Sequence, residues 1–126
     1  MANRAFAVIY SSSVAASEDF YVGLGFVETA RTPETGEAGY VSLRRGDAEL
    51  GIVSVEWPRQ ELGLPIGDGT RFEMYIYVDD LDATIAAHRD TLVREPRDMP
   101  WGERVAYLRD PDGNPVVLAQ APTGKS

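Results

Sequence analysis

Alternation along one short apolar stretch sets Glu73, Tyr75 and Tyr77 on a common side, a carboxylate beside two phenols. A matching stretch sixty-seven residues earlier sets Phe6, Val8 and Tyr10 on one side of its own strand. Aromatic rings next to an acidic group attract a planar or cationic guest through stacking and cation–π contact. A carboxylate enclosed among aromatics is also a candidate general base, because desolvation raises its pKa. The plainer reading keeps the three tyrosines as half-buried strand aromatics with their hydroxyls in water.

Other chemistries are poorly served. The chain has no cysteine, so it has no disulfide, thiol nucleophile or thiolate metal site. His88 is its one histidine and falls on the apolar line of an expected helix, on the outer side of the sheet, where packing is the natural role. No Ser-His-Asp arrangement is visible. Gly23-Leu24-Gly25 lacks a phosphate-loop pattern and serves to end a helix. Asp79, Asp80 and Asp82 read as cap and helix-dipole residues, Asp110 and Asp112 as turn residues. A net charge of −8 disfavours nucleic acid and anionic membrane as partners, and mildly favours cationic ligands. No apolar run approaches the roughly 20 residues of a membrane span. The N-terminus shows no signal-peptide pattern, so a cytoplasmic location is expected.

The elements that would position these residues repeat. Strand Ala5–Tyr10, a serine run, and helix Val14–Val22 are followed by strands Phe26–Thr32, Tyr40–Arg44 and Glu49–Val53. Ala16, Phe20 and Leu24 are the expected inner side of the helix, and Gly46-Asp47 the hairpin turn. The second copy reads as strand Arg71–Val78 and a helix capped at Asp79 or Asp80, with Leu81, Ile85, His88 and Leu92 in line. Strands Leu92–Arg97, Arg104–Arg109 and Pro115–Ala119 follow, the first an edge because of Pro96. Ser54–Thr70, rich in Pro and Gly, reads as a linker. The expectation is one α+β domain over 1–126: a βαβββ module at 5–53, a linker at 54–70, a second βαβββ module at 71–120 and a tail at 121–126. Two copies of one unit imply two similar half-sheets with a site between them.

This order resembles the vicinal oxygen chelate superfamily, the group of glyoxalase I, extradiol dioxygenases and bleomycin resistance proteins. The resemblance covers residues 5–120. It rests on Phe20-Tyr21 before Leu24-Gly25-Phe26, and on Pro100-Trp101-Gly102, Arg104–Arg109 and the Asp110-Pro111-Asp112-Gly113-Asn114 turn. The closing stretch is similar to that of bleomycin resistance proteins. The fold implied is a pair of βαβββ modules forming a curved mixed sheet cup.

In metal-dependent members, four inward positions hold His or Glu. The motifs map these onto Phe6, Glu49, Glu73 and Val117, so two carboxylates remain and no histidine. A catalytic transition-metal site needs more donors than that, and the resemblance therefore implies a site without metal or other cofactor. Glu49 and Glu73 would point into a cup with Phe6, Val8, Tyr10, Tyr75, Tyr77 and Val117, Gly51 leaving room and Trp101 near the rim. Pairing of Glu49 with Arg44 or Arg104, and of Glu73 with Arg71 or Arg104, is the competing arrangement. The function implied is metal-independent sequestration of a cationic or aromatic small molecule by a homodimer, as in bleomycin resistance. The alternative is a lyase, isomerase or dioxygenase using Glu49 and Glu73 as metal ligands or general base.

Overall fold

The structure is a computed structural model that describes residues 5–62 and 72–122, with the side chains of 61 and 62 left aside. The chain divides into two compact units, Met1–Asp68 and Gly69–Ser126. Each is a βαβββ arrangement around one four-stranded mixed sheet, so the duplication seen in the sequence is a duplication of topology.

In unit 1, strand β1 (Ala7–Ser11) leads into helix α1 (Val14–Val22) and strands β2 (Val27–Thr32), β3 (Tyr40–Arg45) and β4 (Ala48–Ser54). The sheet order is β1-β4-β3-β2, with β1 parallel to β4 and the other pairs antiparallel. The Ser13 hydroxyl caps α1 by accepting from the Ala16 N–H at 3.3 Å. Just past the other end, the Arg45 guanidinium donates to the Leu24 carbonyl at 3.0 Å and ties the turn after the helix to β3. The helix buries Val14, Ser17 and Tyr21, with Leu24 continuing the line, a spacing of three, four and three. Ala16, expected on this side, is exposed and Phe20 half-buried. Ser17 displaces them because its hydroxyl meets that of Ser11 at 2.7 Å in the buried seam between helix and sheet. A satisfied hydroxyl pair makes burying serine tolerable where an unpaired one would not be.

The sheet's covered face carries Ile9, Ser11, Val41, Leu43, Leu50 and Ile52, all buried. The register pairs Ile9 with Ile52 and Val8 with Gly51, so Val8, Tyr10, Glu49, Gly51, Val53 and Tyr40 share the opposite, open face. Residues 56–62, read from sequence as part of the linker, form helix α2 (Glu56–Leu62), which packs on β4. Residues 63–70 of the expected linker, Arg71 of the expected strand, and the tail from 123 lie outside the described residues.

In unit 2, β5 (Met74–Tyr77), helix α3 (Leu81–Ala86), a 3-10 turn (Arg89–Thr91) and strands β6 (Leu92–Asp98), β7 (Arg104–Arg109) and β8 (Pro115–Gln120) follow in turn. The sheet order is β5-β8-β7-β6, the same pattern again. Asp80 caps α3, its carboxylate accepting from the Ala83 N–H at 3.1 Å, and Gln120 Oε1 accepts from the Leu81 N–H at 2.7 Å. The helix ends at Ala86, so the expected four-residue apolar line is cut after Leu81 and Ile85. His88 instead precedes the 3-10 turn, and its carbonyl accepts from the Thr91 N–H and hydroxyl. Leu92 opens β6. Ile76, Ala106, Leu108, Val116 and Leu118 fill the face under α3. Tyr75, Tyr77, Val105, Tyr107, Val117 and Ala119 take the other.

Candidate functional site

Of the sequence-predicted residues, Val8, Tyr10, Glu49 and Gly51 fall on the open face of the unit 1 sheet, and Tyr75, Tyr77 and Val117 on that of the unit 2 sheet. In unit 1, Phe6 lies just before β1 and is 38% exposed, Val8 is 44% exposed, and Tyr10 is half-buried. Glu49 sits directly opposite Arg44 in the β3–β4 register, their charged atoms 4.0 Å apart. The space beside Gly51, expected to admit a ligand, is taken by the Tyr40 ring. A Cβ at Gly51 would stand 2.9 Å from the Tyr40 hydroxyl and 3.2 Å from a Val8 methyl. That hydroxyl also accepts from Ser42 Oγ at 3.0 Å. Beside this ring lies a largely apolar pocket of about 640 Å³ lined by Val8, Pro33, Tyr40, Val53 and Trp57. Replacing Gly51 with alanine should push Tyr40 aside and cost about 1 kcal/mol in urea unfolding, since overpacking here meets a movable ring. An unchanged midpoint would show that the ring has no fixed seat.

Unit 2 gathers a tighter cluster around a residue the sequence reading passed over. Glu103 Oε1 accepts from the Tyr75 hydroxyl at 2.8 Å and from Trp101 Nε1 at 3.0 Å, and Oε2 accepts from the Tyr77 hydroxyl at 2.5 Å. The Tyr75 and Tyr77 rings lie 5.5 Å apart, tilted by 47°. Each of these rings is largely open: Tyr75 is 43%, Tyr77 51% and Trp101 60% exposed. The three donors hold the Glu103 carboxyl below the usual range, the Tyr77 bond contributing most. The carboxylate in turn raises Tyr77, mainly through its hydrogen bond, while desolvation and then the same carboxylate push Tyr75 up to about 12.

A backbone turn delivers this carboxylate. The Met99 N–H donates to the Glu103 carbonyl at 2.8 Å and the Gly102 N–H to the Met99 carbonyl at 2.9 Å. Alternation back from Val105 was the available signal, because it places Glu103 on the face of Val105 and Tyr107. Glu73, expected beside Tyr75, precedes β5 and is exposed. Val117 is 2% exposed, packed with Val105 and Ala119 beneath Tyr107 and Met99, so it forms floor.

The donor set does not suit a metal. Of the four mapped positions, Phe6 and Val117 carry no donor atom, and Glu49 faces the Arg44 guanidinium. Each unit thus supplies one carboxylate from those positions. Among the described residues no three His, Asp or Glu side chains converge.

A family model of the Glyoxalase/Bleomycin resistance protein/Dioxygenase superfamily matches residues 4–118. The chain belongs to this superfamily. Solved structures of similar fold include a bleomycin-binding protein complexed with bleomycin, 25% identical over 94% of this chain and 98% of that one, with a TM-score of 0.62. A glyoxalase/bleomycin resistance protein/dioxygenase family enzyme from Burkholderia phytofirmans PsJN is 21% identical over 92% and 96%, with a TM-score of 0.78. A lactoylglutathione lyase from Agrobacterium tumefaciens is 20% identical over 95% of each chain, with a TM-score of 0.69. Among curated proteins none matches this chain by sequence. The superfamily assignment accounts for the paired βαβββ units, while the solved structures of similar fold include both a bleomycin-binding protein and a lactoylglutathione lyase. No helix among the described residues is long and apolar enough to cross a membrane.

Proposed function

We propose that this superfamily member is a metal-independent small-molecule-binding protein that acts as a homodimer on a ligand with an aromatic or cationic part. The observation that carries this reading is the Tyr75–Tyr77–Trp101 cluster around Glu103, three open rings about one ionised carboxylate. Such a group offers ring faces for stacking and a fixed negative charge for a cation. A carboxylate held below its usual pKa is a poor proton acceptor near neutrality, which favours binding over base catalysis. Its 25% identity with a bleomycin-binding protein supports bleomycin as a first ligand to test.

Titration of the Trp57→Phe variant with bleomycin and with benzyltrimethylammonium, read by Trp101 fluorescence, tests this. Saturable quenching is expected, and Glu103→Gln should weaken the cation by about tenfold. Binding should persist to a pH below the ordinary carboxylate range and disappear as Glu103 protonates, because its pKa is lowered. Quenching that does not saturate, or is indifferent to Glu103→Gln, would exclude the cluster as the binding element.

A further inference from the structure

The opposite side of the same unit 2 face has a different charge. A cleft of about 580 Å³ there is lined by Arg94, Arg97, Arg109, Tyr107, Val93 and Pro115, among others. Arg94 and Arg97 are three apart on β6, and regular alternation would send them to opposite faces. The register is irregular between them: Arg94 pairs with Tyr107 and Arg97 with Val105, which are two apart on β7. The bulge over Glu95-Pro96 thus restores both guanidiniums to one face. Arg109, opposite Pro115 and two residues beyond Tyr107, adds a third.

These three arginines are also set apart by what they lack. Arg31, Arg44, Arg59, Arg89 and Arg104 each face a carboxylate, and Arg45 donates to a carbonyl. Among the described residues, Arg94, Arg97 and Arg109 have no such partner, in a chain with 20 acidic and 12 basic residues. The acids nearest in sequence are engaged elsewhere: Glu95 with Arg89, Asp98 with Arg104, and Asp110 inside its turn. Three cations sharing one cleft repel one another unless an anion joins them.

We infer that this cleft is an oxyanion subsite, in which the three guanidiniums take a carboxylate or phosphate of the ligand. Tyr107, Val93 and Pro115 hold the adjoining carbon skeleton. Guanidinium forks match the planar geometry of carboxylate and the oxygen edges of phosphate. The inference rests on reading the open face as a ligand surface, and it adds a second pole to the ligand. Tyr75, Val117, Tyr107 and Arg94 form one row across β5-β8-β7-β6, which puts Arg94 three strand spacings, about 14 Å, from Tyr75, so the ligand carries an acidic group at about that reach from its aromatic end.

The test is a titration of the full chain with phenyl phosphate and with benzoate, following the arginine Nε–H signals by NMR in low-salt buffer free of phosphate. Saturable shifts centred on Arg94, Arg97 and Arg109 are expected with at least one probe. The Arg94→Gln/Arg97→Gln variant should weaken it by about tenfold with an unchanged melting temperature, both side chains being exposed. Tighter phenyl phosphate identifies a phosphate-bearing ligand, and tighter benzoate a carboxylate. Glu103→Gln should leave both titrations unchanged, so loss of cation binding and loss of anion binding are separate results. Absence of saturable shifts at these arginines up to about 10 mM probe, or shifts shared equally with Arg44 and Arg59, overturns the subsite. The three charges would then only guard an edge strand.

Discussion

Asp110→Ala is expected to destabilise the protein by about 3 kcal/mol, lowering its melting temperature by about 10 °C. Asp110 is 3% exposed and Asn114 is fully buried. One carboxylate oxygen of Asp110 accepts from the Asp112 N–H at 3.0 Å and the Asn114 N–H at 2.9 Å. The other accepts from Asn114 Nδ2 at 3.0 Å. The backbone closes the same loop, the Asp110 N–H donating to the Asn114 carbonyl and the Gly113 N–H to the Asp110 carbonyl, both at 2.9 Å. Truncation removes the acceptor that Asp110 provides to the Asn114 backbone N–H and to Asn114 Nδ2, in a site where Asn114 is fully buried. The hydrogen bonds themselves are modest, and the cost comes from stranding the buried donors. The turn joins β7 to β8, which lie at the centre of the unit 2 sheet, so the loss is felt across both strands. Gly113, at φ +84°, completes the turn in a conformation few other residues adopt, and Gly113→Val should be nearly as damaging. Urea unfolding reads both variants. A cost below about 1 kcal/mol for Asp110→Ala would show that water replaces the carboxylate.

Stability should fall as pH rises from about 4.5 to about 7, and Glu18 is the group responsible. Glu18 on α1 is pushed up to about 7, first by burial and then by the hydrogen bond and charge of Glu28; Arg31 opposes the shift and Asp19 adds to it. Arg31 lies 3.7 Å from Glu18 and 3.6 Å from Glu28, one guanidinium for two carboxyls. The folded protein therefore keeps a proton on this pair over a range where the unfolded chain has lost it. Its contribution is complete below about 4.5, is lost through the window up to about 7, and is level above it. The Glu18 side chain is 14% exposed, and after screening the change amounts to about 2 kcal/mol. Glu18→Gln, neutral at every pH, should remove this part of the slope and make the protein the more stable one at pH 8. Parallel wild-type and Glu18→Gln curves across pH 5–8 would assign the proton elsewhere.

Local signals carried the framework well. Helix Val14–Val22 and strand Arg104–Arg109 have the bounds the sequence suggests, and the duplicated strand–helix–strand order becomes two sheets of identical connection. Capping hydroxyls, alternation and turn residues act within a few positions, so they are written in short stretches of chain. The same logic placed Tyr75 and Tyr77 on the face opposite α3. It failed where packing chose otherwise. Ser17 replaces Ala16 under α1 because Ser11 can pair with it, and α3 stops at Ala86 where periodicity alone would have carried it to Leu92. Helix α2 was hidden in a stretch whose prolines and glycines read as linker.

The chemistry of the open faces depended most on tertiary structure. Glu103 meets Tyr77 and Tyr75 across 26 and 28 residues of chain, and no spacing rule joins positions that far apart. Arg94 and Arg97 share a face only because β6 bulges between them, a shift in register that strict alternation denies. Glu49 is paired by strand register with Arg44, one of two partners its sequence context allowed. Sequence by itself determined the paired βαβββ architecture, the superfamily resemblance, the two tyrosines and the lack of donors at two of the four mapped positions. Tertiary structure alone decided which carboxylate those tyrosines hold and, among the described residues, which arginines share the unit 2 cleft, because register and bulges bring distant side chains together.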